Sequence, residues 1–279
     1  MATLSKAAPL LLMFLPRMLP AQWPSYPAAG VPRLPDGKPN LAAPPVRMAD
    51  GKPDLSGVWD RGTVPRPPGT GPPPPPAAFG APQPTGPRPF QDLPSLLPDG
   101  LPFQPWAAEL RKQRLAVNSK DHPDAHCLPL NPVQLHSHPQ PRKIIQTPGL
   151  VLILYEANGG LRQIFTDGRP LPKNDPQPWW YGYSAGHWDG DTLVVETIGF
   201  RDNGWLDEEG TPVSSSGKVI ERFRRINIGT LEIEITVDDP KTFTKPWTVK
   251  LNQSLMPDTE LIEFICDENN RSLSHLVGK

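Results

Sequence analysis

The sequence is poor in the features that most often name a function. Its 279 residues include two cysteines, Cys127 and Cys266, and neither lies in a Cys-x-x-Cys pair. That argues against a zinc ribbon and against a thioredoxin-type redox motif. Charge of one sign is not in excess: Lys+Arg 28 against Asp+Glu 29 leaves a net charge of −1. Neither nucleic acid nor an anionic membrane is therefore expected as the main partner. No apolar run is long enough to span a bilayer, so no integral membrane span is expected. Gly-x-Ser-x-Gly, a phosphate loop, a dinucleotide fingerprint and His-Glu-x-x-His are all missing, which removes the common hydrolase, kinase and dehydrogenase readings and gives no reason to expect a cofactor.

Proline is what the sequence has most unusually: 41 residues, of which 32 precede residue 142. Ordinary usage is roughly 5 %. Residues 1–22, with Lys6, the apolar Ala7–Leu15 stretch and small or polar residues near Ala21, have the order of a secretory signal. Residues 23–103 read as a proline-rich extended arm or linker, with a short strand at 55–60 around Trp59. Within the arm, Asp36-Gly37-Lys38-Pro39-Asn40-Leu41 is echoed by Asp50-Gly51-Lys52-Pro53-Asp54-Leu55, and both copies carry turn chemistry. Residues 104–118 predict one helix, with Pro105 in its first turn and an apolar stripe of Trp106, Leu110 and Val117 with the nearby Ala107 and Leu115 that should dock on the C-terminal half of the chain.

Residues 119–279 predict an antiparallel β domain. Leu231, Ile233, Ile235 and Val237 alternate with polar residues, as a strand with one buried and one wet face requires. Strands are expected at Arg142–Thr147, Leu150–Glu156, Leu161–Thr166, Tyr181–Trp188, Thr192–Phe200, Lys218–Ile226, Thr230–Asp238, Trp247–Leu255 and Glu260–Asp267. Turn residues join most of them, and short links force antiparallel neighbours. The expected fold is mainly β: an up-and-down barrel or strongly curved sheet, with a β-sandwich as the alternative. In an exported chain Cys127 and Cys266 would form one disulfide tying the start of this half to its last strand; the other reading is two free buried thiols.

Several clusters could carry chemistry. Trp179, Trp180, Tyr181, Tyr183 and Trp188 concentrate aromatics and, with Tyr155 and Arg224, could line an apolar pocket or stack on sugar or aryl rings. The other reading is core filling. Glu196 sits mid-strand in Leu193-Val194-Val195-Glu196-Thr197, where an inward carboxylate needs a partner such as Arg222 or Arg224; an outward salt bridge is the alternative. If inward, Glu196 as general base with His187 and Arg222 would make a catalytic site. His122, His126, His136 and His138 lie close together with Asp124; His136 and His138 at i, i+2 could share one metal with a carboxylate, but prolines break up the segment and the leading reading is solvated loop histidines, with a metal site as the alternative.

The strings Pro53-Asp54-Leu55-Ser56-Gly57-Val58-Trp59, Cys127-Leu128-Pro129, Gln163-Ile164-Phe165-Thr166-Asp167-Gly168-Arg169-Pro170, Gly190-Asp191-Thr192-Leu193-Val194-Val195-Glu196-Thr197 and Thr244-Lys245-Pro246-Trp247 resemble a family of exported, proline-rich, β-rich proteins of soil bacteria that is weakly lipocalin-like. The resemblance implies a periplasmic or extracellular location and a shared fold; it implies no reaction. Relatives often carry a histidine where this chain has Tyr183, and a His-rich turn where it has Gly210-Thr211-Pro212-Val213-Ser214. The leading expectation is a barrel-like protein binding a small, partly apolar or aromatic ligand. The alternatives are a hydrolase, lyase or isomerase acting on a glycan or aryl compound, and a structural envelope protein.

Overall fold

The computed structural model describes residues 27–61, 96–173, 178–202 and 204–268. The expected leader at 1–22 and most of the proline-rich stretch between the short strand and the helix lie outside the described residues. The strands are β1 (Gly57–Trp59), β2 (Arg142–Thr147), β3 (Leu150–Tyr155), β4 (Gly160–Phe165), β5 (Tyr183–Asp189), β6 (Thr192–Ile198), β7 (Gly204–Trp205), β8 (Pro212–Val213), β9 (Lys218–Asn227), β10 (Thr230–Asp238) and β11 (Trp247–Ser254). Helix α1 spans Pro105–Ala116, and a single turn, α2, spans Pro132–Leu135.

Nine strands form one sheet in the order β1-β2-β3-β4-β5-β6-β9-β10-β11, and a bridge between Trp59 and Leu255 brings the last strand back to the first. The result is a nearly closed, mainly β barrel with one long helix. Closure hides edges that an open sheet would leave free to pair with other chains. Strand β7 pairs with β8, and with no other strand among the described residues, in a hairpin inserted between β6 and β9.

Period-two alternation sets what faces inward. Leu193 and Val195 of β6, Val219 and Phe223 of β9, Leu231, Ile233, Ile235 and Val237 of β10, and Val249 and Leu251 of β11 are all buried in one core. Trp59 is wholly buried there, its indole N–H donating to the Leu55 carbonyl at 3.0 Å. Leu130, Val133 and Leu135, on and beside α2, join the same core. Asn131 caps α2 by accepting from the Val133 amide at 3.0 Å.

Three sequence expectations are corrected. Residues 260–267 form no strand; the chain there is irregular and reaches the disulfide between Cys127 and Cys266. The pairing is not wholly antiparallel, because β4 and β5 run parallel through Ile164↔Ser184 and Phe165↔Ala185. Their connection, 166–182, is long enough for the crossover that parallel pairing demands. Helix α1 docks by only part of its apolar stripe: Leu115 and Val117 are exposed, and Trp106, exposed as well, is held through its indole N–H, which donates to the Lys241 carbonyl at 2.6 Å. It docks through Ala107, which is buried, through Arg111, which pairs with Glu209 at 2.5 Å, and through Arg114, which donates to the Gly210 carbonyl at 3.0 Å. The docking face follows the i, i+4, i+7 row of 107, 111 and 114. Gly210 is needed there, since a Cβ would meet the Arg114 side chain at 2.7 Å and its φ is +90°.

The echoed arm segments adopt the same local structure. In the first, Leu34 N–H donates to Lys38 O at 2.8 Å and Gly37 N–H to Leu34 O at 2.8 Å; in the second, Met48 donates to Lys52 O at 2.8 Å and Gly51 to Met48 O at 2.9 Å. Gly37 and Gly51 have φ of +82° and +78°, which glycine adopts without steric cost. Between the two turns, Leu41 and Ala43 accept from Gly229 and Ile228, so the arm crosses the β9–β10 turn at one end of the barrel.

Candidate functional site

The polar residues inside the barrel converge on one carboxylate. Glu221 lies on β9 in phase with Val219 and Phe223 and is fully buried. Arg162, inward on β4, donates to both Glu221 oxygens, through NH1 to Oε1 at 2.9 Å and through NH2 to Oε2. His136 Nε2, just past α2, lies 2.5 Å from Oε1. Arg162 also reaches Ser184 Oγ of β5 at 3.1 and 3.2 Å and Thr197 Oγ1 of β6 at 2.9 Å. Burial works to raise the Glu221 pKa, but the Arg162 and His136 contacts outweigh it and hold the carboxyl down to about 2. Burial likewise drives the His136 pKa down against the pull of Glu221. The imidazole is thus neutral and donates its Nε2–H to an ionised carboxylate. The Gln253 amide donates to the His136 carbonyl at 3.0 Å, and Arg142, also buried, donates to the carbonyls of His136 and His138 at 3.0 and 2.8 Å. The cluster is sealed from solvent. It is a compensated ion pair that ties together β4, β5, β6 and β9.

The expected catalytic trio is not assembled inside. Glu196 lies on the outer face and pairs with Lys218 at 3.4 Å, not with Arg222 or Arg224. Arg222 pairs with Asp189 at 3.0 Å and Arg224 with Glu232 at 3.0 Å, both outside. His187, exposed on β5, shares a cross-strand row with Val194 and Arg222. These groups stand on a convex, wet surface, where a carboxylate and an imidazole keep their solvent.

The aromatic residues separate onto two faces because of Gly182. In a regular strand Tyr181 and Tyr183 would share a face. Gly182 has φ of +67°, and a Cβ there would meet Thr197 Cγ2 at 2.5 Å and the Ile198 carbonyl at 2.8 Å. The reversal sends Tyr181 inward onto buried Tyr155, ring centroids 5.9 Å apart, and Tyr183 outward onto Phe165 at 5.3 Å, with Trp179 edge-on to Tyr183 at 5.6 Å. It also moves the start of β5 to Tyr183. Trp188 packs on the core from the far end of β5, under the Lys52 ammonium.

Trp180 goes elsewhere, into a cleft of about 180 Å³ that it shares with Trp205. Pro123, Leu128, Pro129, Phe200 and Val213 also line this cleft, and Asp121, Asn131, Arg201 and Asp202 are its charged and polar wall groups. Trp205 is braced: the Arg114 guanidinium lies 4.1 Å from its ring centroid and His122 meets it edge-on at 5.1 Å. His122 is itself anchored, its Nδ1 accepting from the Asp124 amide at 3.3 Å and its Nε2–H donating to Gln134 Oε1 at 3.2 Å. Burial lowers its pKa. The Arg201 guanidinium sits 4.7 Å from the Trp180 ring. The sequence reading found Trp180 but missed Trp205, Phe200 and Arg201, because the β7–β8 hairpin that delivers Trp205 is too short to register as alternation.

The expectation of solvated histidines is corrected, since His122, His136 and His138 are buried and only His126 is exposed; the four take separate partners, His122 with Gln134, His126 with the Lys120 carbonyl, His136 with Glu221 and His138 with Asp124. Among the described residues no three His, Cys, Asp or Glu side chains are gathered so as to hold a metal ion. No helix among them is long and apolar enough to cross a membrane. Set against known protein families, curated proteins and solved structures, the chain matches none of them.

Proposed function

We propose that this protein binds a small, partly apolar ligand carrying one aromatic ring, in the cleft between Trp180 and Trp205. The observation that carries the reading is the pair of indoles on one concave surface of about 180 Å³. An apolar cavity of about 150 Å³ accepts a benzene-sized guest, so the cleft suits a single ring. Aromatic walls with a few polar groups are the usual make-up of a small-molecule site. Trp205, held between Arg114 and His122, is pre-positioned, which lowers the ordering cost of binding. The barrel interior is already filled by side chains, so the ligand site is on the loops beside the barrel.

The same reading includes export to the periplasm or beyond. The disulfide, which persists in oxidising compartments, and the order of residues 1–22 support it. So does the resemblance to exported proteins of soil bacteria.

Titration with benzyl alcohol, followed by tryptophan fluorescence and by calorimetry, tests the binding. The expected result is saturable one-site binding that weakens about three- to ten-fold in Trp180→Leu and in Trp205→Leu, an effect of the size expected for losing one aromatic contact. If benzyl alcohol and benzoate both fail to bind the wild-type protein at millimolar concentration, the reading is wrong.

A further inference from the structure

We propose that the ligand of this cleft is an anion: a single aromatic ring bearing a carboxylate or an equivalent acidic group, seated with its ring between Trp180 and Trp205 and its charge on Arg201. This rests on the cleft being the binding site and adds the chemical class.

Arg201 stands at a junction. It lines the cleft, and with Phe200 and Asp202 it also lines a larger, open groove of about 710 Å³ that includes Lys173 and Ser215. A ring held in the smaller chamber would place its substituent at that junction. The Arg201 guanidinium lies over the Trp180 ring and has no carboxylate partner among the described residues. A guanidinium over an aromatic ring still carries five N–H donors around its own plane, and that fork can meet a carboxylate with two parallel bonds.

The two acids nearby are otherwise engaged. Asp202 accepts from the Ser215 amide at 2.7 Å and sits within the field of Lys241, and Asp121 lies in the field of the Arg114 guanidinium. Lys173, exposed in the groove, adds a second positive charge with no ion pair among the described residues. A neutral ring would use the indoles and leave Arg201 as it is. An anionic ring would use both.

The experiment compares benzoate with benzyl alcohol, two probes of similar ring and size that differ in charge. The expected result is benzoate binding at least about ten-fold more tightly at low ionic strength, with the gap narrowing as salt rises, because Arg201 is exposed to screening. Arg201→Gln should abolish the gap, read as the ratio of the two affinities within the same variant, and Arg201→Lys should restore part of it, since the charge returns without the planar fork. Equal binding of the two probes by the wild-type protein would overturn the anion assignment and leave the aromatic cleft standing. A gap that survives in Arg201→Gln would overturn the role of Arg201. Failure of both probes would remove the site itself.

Discussion

Arg33 and Arg47, fourteen positions apart in the echoed segments, make the same pair of contacts. Each donates to the carbonyl of its own turn glycine, Gly37 or Gly51, and each forks onto an aspartate, Asp258 in the turn beyond β11 for Arg33 and Asp191 in the β5–β6 turn for Arg47. The Arg47 fork has bonds of 2.8 and 2.7 Å. Duplication of a short sequence has therefore placed two equal clasps, so that the arm is tied down at two points on the barrel.

Because each clasp closes on its own turn, they should open separately. Arg33→Ala is expected to speed hydrogen exchange at 34–40 and leave 48–54 unchanged, and Arg47→Ala to do the reverse. Exposed ion pairs add little to global stability, so the thermal midpoint should stay close to wild type in both. Exchange that rises across both segments in either variant would show that the arm moves as one piece.

The Arg162–Glu221 pair should behave as a buried charge pair does. Replacing Arg162 by Met leaves Glu221 charged and uncompensated in the core, at a cost of about 3–5 kcal/mol. Glu221→Leu strands Arg162 in the same way. The double variant removes both charges and should regain a large part of the loss, giving a strongly non-additive cycle in urea denaturation. Additive losses would mean that the two side chains act through their separate neighbours.

Acid should act in two stages. His122 and His136 both have pKa values pushed below the ordinary 6.5 by burial, so the unfolded chain takes up protons that the native protein refuses. A depressed pKa contributes stability that is present above the unfolded value and lost as pH falls through it. Stability should therefore decline from about pH 6.5 downward. A second decline should begin near the ordinary glutamate value of 4.5, as Glu221, held down to about 2, resists the protonation that the unfolded state undergoes. Thermal melts across this range check both limbs. His136→Gln should flatten the first limb, and a wild-type midpoint that does not move between about pH 7 and pH 5 would refute the assignment.

Most of the barrel was legible because its strands alternate. Arg142–Thr147 and Thr230–Asp238 end where the period-two pattern ends, and the Asp-Gly and Pro-Gly pairs mark their turns. The interior ion cluster was not read from the sequence, although the phase of two members is there: Glu221 alternates in step with Val219 and Phe223, and Thr197 with Leu193 and Val195. Glu196 drew the eye instead because Leu193-Val194-Val195 is apolar at three consecutive positions and hides the phase. What the sequence could not display is proximity. Arg162, Ser184 and His136 reach Glu221 from other elements, and nothing near Trp205 in the chain announces Trp180 as its neighbour across the cleft.

The parallel contact of β4 with β5 is short, and it divides the barrel into two sets of locally paired strands. β2–β3–β4 form one consecutive meander; β5, β6, β9, β10 and β11 form another, interrupted by the β7–β8 hairpin. Contacts close in sequence form before distant ones, because less loop entropy is lost in making them. Each meander can thus assemble as a curved half-shell, and the barrel closes only when Arg162 of one half meets Ser184, Thr197 and Glu221 of the other, with Trp59 completing the opposite seam at Leu255. On this route the ion cluster is a late latch between two folding units. Pulse-labelled exchange would reveal it as protection that arrives in both meanders before it arrives at the two seams.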